Sequence, residues 1–406
     1  MPSKKEPVYQ FMNCRLLRNH QLIVDDLWVR AGKIINPEKL FFEEKIAADK
    51  QIDCGGVIIS PGFIDIQING AFGVDFSDDS NNADVEKGLE KVAKGLLEHG
   101  VTSFCPTLVT CCKETYAKVL PRIKKRAGGK SGAGVLGLHL EGPFISKEKK
   151  GAHTEAYIRG FPNGFADVLD MYGTLDDTAI VTLAPEHDRS EEVIKELVNR
   201  GIVVSVGHST SNLIQGETAV HHGASCITHL FNAMLSFHHR DPHLIGLLTS
   251  KMISEDKKVY YGLIADGIHT HPAALRIAHR VDPEGLVLVT DAIPAMGLLA
   301  GKHQIGAQMV EIKGKRAVIA GTNTLCGSIV TMDKCVRHLA KATECGPVLA
   351  LESASLHPAQ LLGITNTKGT LDYETDADFI LVDDLLNIKS TYIAGELVWN
   401  SDNSET

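Results

Sequence analysis

Apolar positions divide this chain into three stretches of different rhythm. Over the first sixty residues they fall in short strand-like runs, at 10–17, 21–31, 33–35 and 52–59, most of them separated by turn residues. The end of the chain has the same texture, with runs at 377–382 and 388–399 around a Gly395-Glu396 turn. No long helical period appears in either part. The pattern predicts that residues 1–60 and 357–406 meet in one small β-sandwich domain, with the rest of the chain inserted between them.

The middle alternates between apolar runs of strand length and helix-spaced patterns. Strands are expected at 62–70, 102–108, 135–144, 179–186, 202–208, 224–232, 259–267 and 286–292. Between most of them lie helices. Residues 85–99 carry Val85, Leu89, Val92, Ala93, Leu96 and Leu97 at helical spacing and stop at Gly100. Segments 191–200 and 211–222 also end at glycines, and 272–280 starts from His271-Pro272. Eight continuous apolar runs with helical crossovers suit parallel strands covered on both faces. They predict an α/β fold, a (β/α)8 TIM barrel over residues 61–356.

The alternative is a doubly wound open sheet, which often carries a Gly-rich phosphate loop leaving a strand. The one spacing match, Gly132-Ala133-Gly134-Val135-Leu136-Gly137, leads into a strand instead and reads as a loop. The Gly-rich stretch 293–327, with strand-like 309–312 and 317–320, predicts a β-hairpin insertion over the barrel mouth. Residues 333–343 and 347–356 read as closing helices.

Composition narrows the class. At 406 residues, 44% hydrophobic and 22% charged, the chain is an ordinary globular protein with room for a large core. A net charge of −9 argues against nucleic acid or an anionic membrane as partner, since both want a basic face. The start lacks an apolar leader and no run approaches the length of a membrane span. The nine cysteines contain no Cys-x-x-Cys pair. Reduced thiols and a cytoplasmic location are expected.

Chemistry then concentrates at strand ends. Glu141, His208, His229 and Asp291 each close a separate apolar run. In a parallel barrel all four converge on one mouth, where the βα loops build active sites. One carboxylate and two imidazoles form a three-ligand set for one divalent ion, expected to be Zn²⁺, with a position left for water. Asp291 reads as general base and then acid, or else as a turn residue. His153, in the loop after Glu141, either polarises a scissile carbonyl or is solvated. His269, after the seventh strand, faces the same mouth. Arg240 suits a substrate phosphate or carboxylate, or a surface ion pair with Asp241. Together these residues describe a metal hydrolase.

The motifs go further. Pro-Gly-Phe-Ile-Asp-Ile-Gln-Ile-Asn-Gly (61–70), Gly-Leu-His-Leu-Glu-Gly-Pro-Phe (137–144), Leu-Ala-Pro-Glu (183–186), Gly-His-Ser (207–209), Thr-His-Leu-Phe-Asn-Ala-Met (228–234), Ala-Asp-Gly-Ile-His (265–269) and Val-Thr-Asp-Ala (289–292) span most of the chain. With them the sequence resembles the N-acetylglucosamine-6-phosphate deacetylase family of the amidohydrolase superfamily. The resemblance implies metal binding by Glu141, His208 and His229, and acid/base catalysis by Asp291. It implies substrate contacts from Ala152, His153, Asn232, Ala233, Arg240 and His269, and from Leu325, Cys326 and Gly327. It also implies a phosphorylated amino sugar as substrate and a homodimer in which Arg240 reaches the partner's phosphate.

Many superfamily members carry His-x-His on the first strand and bind two metals. Here the triplet is Gln67-Ile68-Asn69, so one ion per site is expected. The competing readings are an amidohydrolase of N-acyl amino acids or cyclic amides, and a metal-bound scaffold without activity. A structural metal site closes its coordination, which disfavours the second.

Overall fold

The computed structural model describes residues 6–403 apart from 46, 80–83, 255–256 and 306–307. Eight parallel strands follow one another around a barrel: β1 (Phe63–Ile68), β2 (Val101–Leu108), β3 (Leu138–Glu141), β4 (Thr178–Leu183), β5 (Val203–Val206), β6 (Cys226–Ile227), β7 (Tyr260–Leu263) and β8 (Leu286–Leu288). Each pairs with the next in parallel register. The ring closes through the parallel bridge between Ile68 and Ala292, reinforced by Asp291 N–H donating to Gln67 O at 2.8 Å. The expected barrel is therefore the observed one.

The strands are mostly buried, and in β2 all eight positions are. Ile64, Ile66, Cys105, Ile180, Cys226 and Val287 belong to one apolar cluster. They come from strands that are not all neighbours, so they meet inside the barrel. Ala359 and Leu361 of a helix at Leu356–Leu361 join the same cluster. Cys105 and Cys226 are core residues, as their sequence context implies.

The crossover helices show why the periodicity was legible. Helix α1 (Val85–Leu96) buries Leu89, Val92, Ala93 and Leu96, and Asp84 caps it by accepting from Lys87 N–H. A 3-10 turn follows and ends at Gly100, whose φ of 74° a glycine adopts without steric penalty. Then come α2 (Lys113–Val119), α3 (Phe165–Tyr172), α4 (Ser190–Asn199), α5 (Leu213–His221), α6 (Pro272–Val281) and α7 (Met332–Thr343). The α5 start is set by a capping box between Asn212 and Gln215, two residues later than the apolar pattern suggests.

The two ends of the chain interleave. A six-stranded sheet places Ile58–Pro61 between Arg15–Arg18 on one side and Phe379–Val382 on the other. A four-stranded sheet from the N-terminal segment covers it. Between them, Phe11 packs edge-on to the stacked rings of Phe379 and Tyr392, at 5.0 and 5.1 Å. Leu16, Leu27, Val29 and Ile59 complete this second core.

The insertion after β8 is larger than the hairpin expected. It forms a four-stranded antiparallel sheet of β9 (Gly301–Ile305), β10 (Gln308–Lys313), β11 (Arg316–Ile319) and β12 (Leu325–Gly327). Val310, Ile312 and Ala317 pack on Ala295. The outer strands escape the apolar pattern because β9 is mostly polar and β12 spans three residues.

Candidate active site

Glu141 is the last residue of β3, while His208 and His229 each lie two residues beyond β5 and β6, and Asp291 three beyond β8. The strands stop short of the histidines and Asp291 because these residues leave the extended conformation. Their φ values are 47°, 27° and 45°. Non-glycine residues held there store about 1–3 kcal/mol each, and such strain persists only where surrounding contacts over-determine it.

The three side chains expected to hold metal meet. Glu141 Oε1 lies 3.2 Å from His208 Nε2 and 3.1 Å from His229 Nε2, and the two Nε2 atoms are 3.1 Å apart. All three residues are buried. His208 Nδ1 lies 2.8 Å from the Lys149 carbonyl, which can only accept. That fixes the proton on Nδ1 and leaves an Nε2 lone pair aimed at the cluster. His229 Nδ1 is buried without a partner among the described residues. Two facing nitrogens and a carboxylate oxygen at this separation need positive charge between them.

The electrostatics agree. Burial opposes ionisation of Glu141, but the two imidazoles beside it outweigh that and hold its carboxyl well below the usual range. Burial likewise disfavours a charged His229, yet Glu141 pushes its pKa up to about 9, so a cation binding there would displace a proton. The donor set, one carboxylate and two imidazoles, fits a divalent cation with an open position. Among the described residues it is the one group of three or more His, Cys, Asp or Glu with ligand atoms within 4.8 Å of one another.

Asp291 sits beside this cluster. Burial, and then repulsion by Glu141, push its pKa up to about 6. Asn69 Nδ2 donates to its Oδ1 at 2.8 Å. The Gln67 amide reaches both carboxylates, donating to Glu141 Oε1 at 2.9 Å and, more weakly, to Asp291 Oδ1 at 3.4 Å. The first strand therefore offers the carboxylates N–H donors, where His-x-His would offer lone pairs to a second ion.

His153 is buried, and its ring lies 4.5 Å from that of His208. The Thr110 backbone N–H donates to His153 Nδ1 at 3.2 Å, and the Thr110 hydroxyl lies 2.7 Å from the same atom. Nδ1 therefore accepts, and Nε2 carries the proton. Burial drives the pKa down to about 3, so the ring is a neutral donor at physiological pH. Thr110 was not singled out in the sequence, because a threonine in a loop carries no periodic signal. His269 Nδ1 bonds Asp266 Oδ2 at 2.6 Å, which orients its ring.

The remaining expected contacts are placed by their neighbours in the chain. Ala152 adjoins His153, Asn232 and Ala233 follow His229 closely, and the backbone after Leu325, Cys326 and Gly327 pairs with Ala292 through Ser328. Arg240 is exposed, and its guanidinium has no partner among the described residues. Asp241 instead accepts from Leu213 N–H and His243 N–H, so the alternative Arg240–Asp241 ion pair does not form.

A barrel with a metal-ligand cluster at its C-terminal mouth defines a class. Residues 58–398 match the model of the Amidohydrolase family, and the chain belongs to that family. The N-acetylglucosamine-6-phosphate deacetylase of Rattus norvegicus is 62% identical over 397 residues, covering 98% of this chain and 97% of the relative. That of Caenorhabditis elegans is 51% identical over 393 residues, covering 96% and 94%. A crystal structure of an Asp-to-Ala variant of the Mycobacterium smegmatis deacetylase, in complex with N-acetyl-D-glucosamine-6-phosphate, superposes with a TM-score of 0.79 at 27% identity. It covers 97% of this chain and 100% of that one. Within the amidohydrolases, this chain is a member of the N-acetylglucosamine-6-phosphate deacetylases.

Proposed function

We propose that Glu141, His208 and His229 hold one divalent cation, Zn²⁺ by ligand type, and that Asp291 moves the proton in hydrolysis of an acetamide. The enzyme deacetylates N-acetyl-D-glucosamine 6-phosphate, giving D-glucosamine 6-phosphate and acetate. The observation that supports this most directly is the pair of imidazole Nε2 atoms 3.1 Å apart beside Glu141 Oε1. A cation bound there supplies Lewis-acid polarisation and acidifies water toward neutrality.

The chain's own groups do the rest. His153 donates its Nε2 proton to the acetamide oxygen and stabilises negative charge as it develops there. Asp291, ionised above its pKa of about 6, takes the proton of the attacking water. The same carboxyl then gives that proton to the sugar nitrogen as the C–N bond breaks. Arg240 and His269 bind the sugar phosphate, assisted by Ala152, Asn232, Ala233, Leu325, Cys326 and Gly327. Gln67 and Asn69 meet the carboxylates with N–H donors and offer no imidazole to a second ion, which supports one ion per site instead of two.

We read residues 1–60 and 357–406 as one small β domain carried by the barrel of residues 61–356. The unpartnered Arg240 guanidinium supports a homodimer in which it serves the neighbouring site. All nine cysteines are free thiols, which supports a reducing, cytoplasmic setting. No helix among the described residues is long and apolar enough to cross a membrane.

The test is Asp291→Asn. Metal content should stay at the wild-type level while acetate release falls about 10²–10⁴-fold. Near-normal release would remove Asp291 from this role.

A further inference from the structure

Three strands, β3, β5 and β6, lead to the cation cluster, yet β4, which lies between β3 and β5, sends no ligand to it. What β4 sends is Glu186, three residues beyond its end. Both carboxylate oxygens are fully engaged. Oε2 accepts from the Ser209 hydroxyl at 2.7 Å and the Ser211 hydroxyl at 2.8 Å. Oε1 accepts from Thr210 N–H at 2.6 Å and the Thr210 hydroxyl at 2.9 Å. No cation pairs with Glu186 among the described residues. Its charge is met by four donors, all on the three residues that follow His208.

Those residues form the turn that keeps His208 in its left-handed conformation. Ser209 N–H donates to Ala233 O at 3.1 Å, tying the turn to the loop after His229. The Ser209 hydroxyl oxygen also accepts from Ser211 N–H at 2.9 Å. On its other side, His208 is held through its ring to Lys149 O and through its own carbonyl, which accepts from Ser146 N–H at 2.8 Å. A strained residue stays strained only when every exit is blocked. Glu186 blocks the exit through the chain that follows, and it does so with hydrogen bonds to a charged acceptor, the stronger kind.

We propose that Glu186 is a positioning residue for His208: by clamping the 209–211 turn from the end of β4, it sets the place of His208 Nε2 and hence the affinity for the cation. The proposal rests on the reading that Glu141, His208 and His229 hold a metal ion. Glu186 touches neither metal nor substrate and takes no part in proton transfer. Its action is on the ligand geometry, as for other groups that orient metal ligands, whose loss costs about 10–100-fold in affinity.

The experiment measures Zn²⁺ affinity of the metal-stripped full chain by competition with a chromophoric chelator. The variants are Glu186→Ala, Glu186→Gln, Ser211→Ala and His208→Ala, each with its unfolding midpoint in the metal-free state. Glu186→Ala should weaken Zn²⁺ binding about 10–100-fold. Glu186→Gln should recover most of that. Its amide oxygen still serves Thr210, and its NH₂ can donate to serine hydroxyls that rotate to accept. Ser211→Ala, which removes one of the four bonds and leaves Glu186 in place, should weaken binding by a smaller factor, about 3–10-fold. It carries the test if Glu186→Ala fails to fold.

A merely structural role would lower the unfolding midpoint and leave Zn²⁺ affinity of the folded protein unchanged. Affinity within about twofold of wild type in Glu186→Ala, or in Ser211→Ala if the former does not fold, with binding abolished in His208→Ala, would overturn the clamp. Wild-type affinity in His208→Ala would instead overturn the metal-site reading itself, and the clamp with it.

Discussion

Asn69→Leu isolates what the first strand does for the general base. Asn69 donates one hydrogen bond to Asp291 Oδ1 at 2.8 Å, while its own carbonyl oxygen is buried without a partner among the described residues. Leucine keeps the branched outline of the side chain, is larger by its two methyl groups, and cannot donate, so the substitution removes this bond. A hydrogen bond to a charged acceptor is worth about 1.5–3 kcal/mol. The bond favours the ionised carboxylate, so its loss must raise the Asp291 pKa. At about 1.36 kcal/mol per unit the rise is about 1–2 units from a value of about 6. With Asp291 as the proposed base, activity is present above its pKa and lost as pH falls through it. The acidic limb of the kcat/KM profile should therefore move up by about 1–2 pH units. The alkaline plateau should remain, and bound metal should be unchanged, because Asn69 touches none of Glu141, His208 or His229. A limb that moves by less than about 0.3 unit would refute either the strength of this bond or the identity of the base.

Arg240→Ala should raise KM for N-acetylglucosamine 6-phosphate about 10–100-fold, the cost of one or two charge-assisted bonds, and leave turnover of unphosphorylated N-acetylglucosamine unchanged. Equal losses on both sugars in an acetate-release assay would contradict phosphate binding. Removing metal with a chelator should abolish acetate release and lower the unfolding temperature by about 5 °C at modest prior saturation, both restored by Zn²⁺. In the second core, Phe379→Ala deletes a ring stacked on Tyr392 at 4.7 Å and met edge-on by Phe11. It should cost about 3–5 kcal/mol in urea unfolding of that region, with metal content unaltered.

The sequence revealed elements and strand-end residues better than it revealed what fastens them. Continuous apolar runs marked all eight barrel strands, because strands covered on both faces have no polar side to interrupt them. The same runs overstated strand length at β5, β6 and β8. There the apolar pattern carries on into residues whose positive φ ends the pairing, and hydrophobicity does not record that bend. Strands β9 and β12 were invisible for the opposite reason: sheet pairing by backbone needs no apolar side chain. Glu141, His208, His229 and Asp291 stood out as charged or imidazole groups ending apolar runs. Thr110 and Glu186 did not, since a polar residue in a loop looks solvated until its partner, 43 residues away for Thr110 and 23–25 for Glu186, is known.

The sheet that joins the two ends of the chain has a consequence for biosynthesis. Ile58–Pro61 leaves the ribosome early, but its neighbour Phe379–Val382 is made more than three hundred residues later. Until then one edge of an apolar strand waits without its partner while the barrel forms behind it. A nascent chain that stalls inside the barrel can assemble the ligand-bearing strands yet leave that edge bare. Exposed strand edges of this kind invite pairing with other chains. The last sheet to close is therefore the point at which an interrupted product differs visibly from a finished one, and where quality control has a surface to recognise.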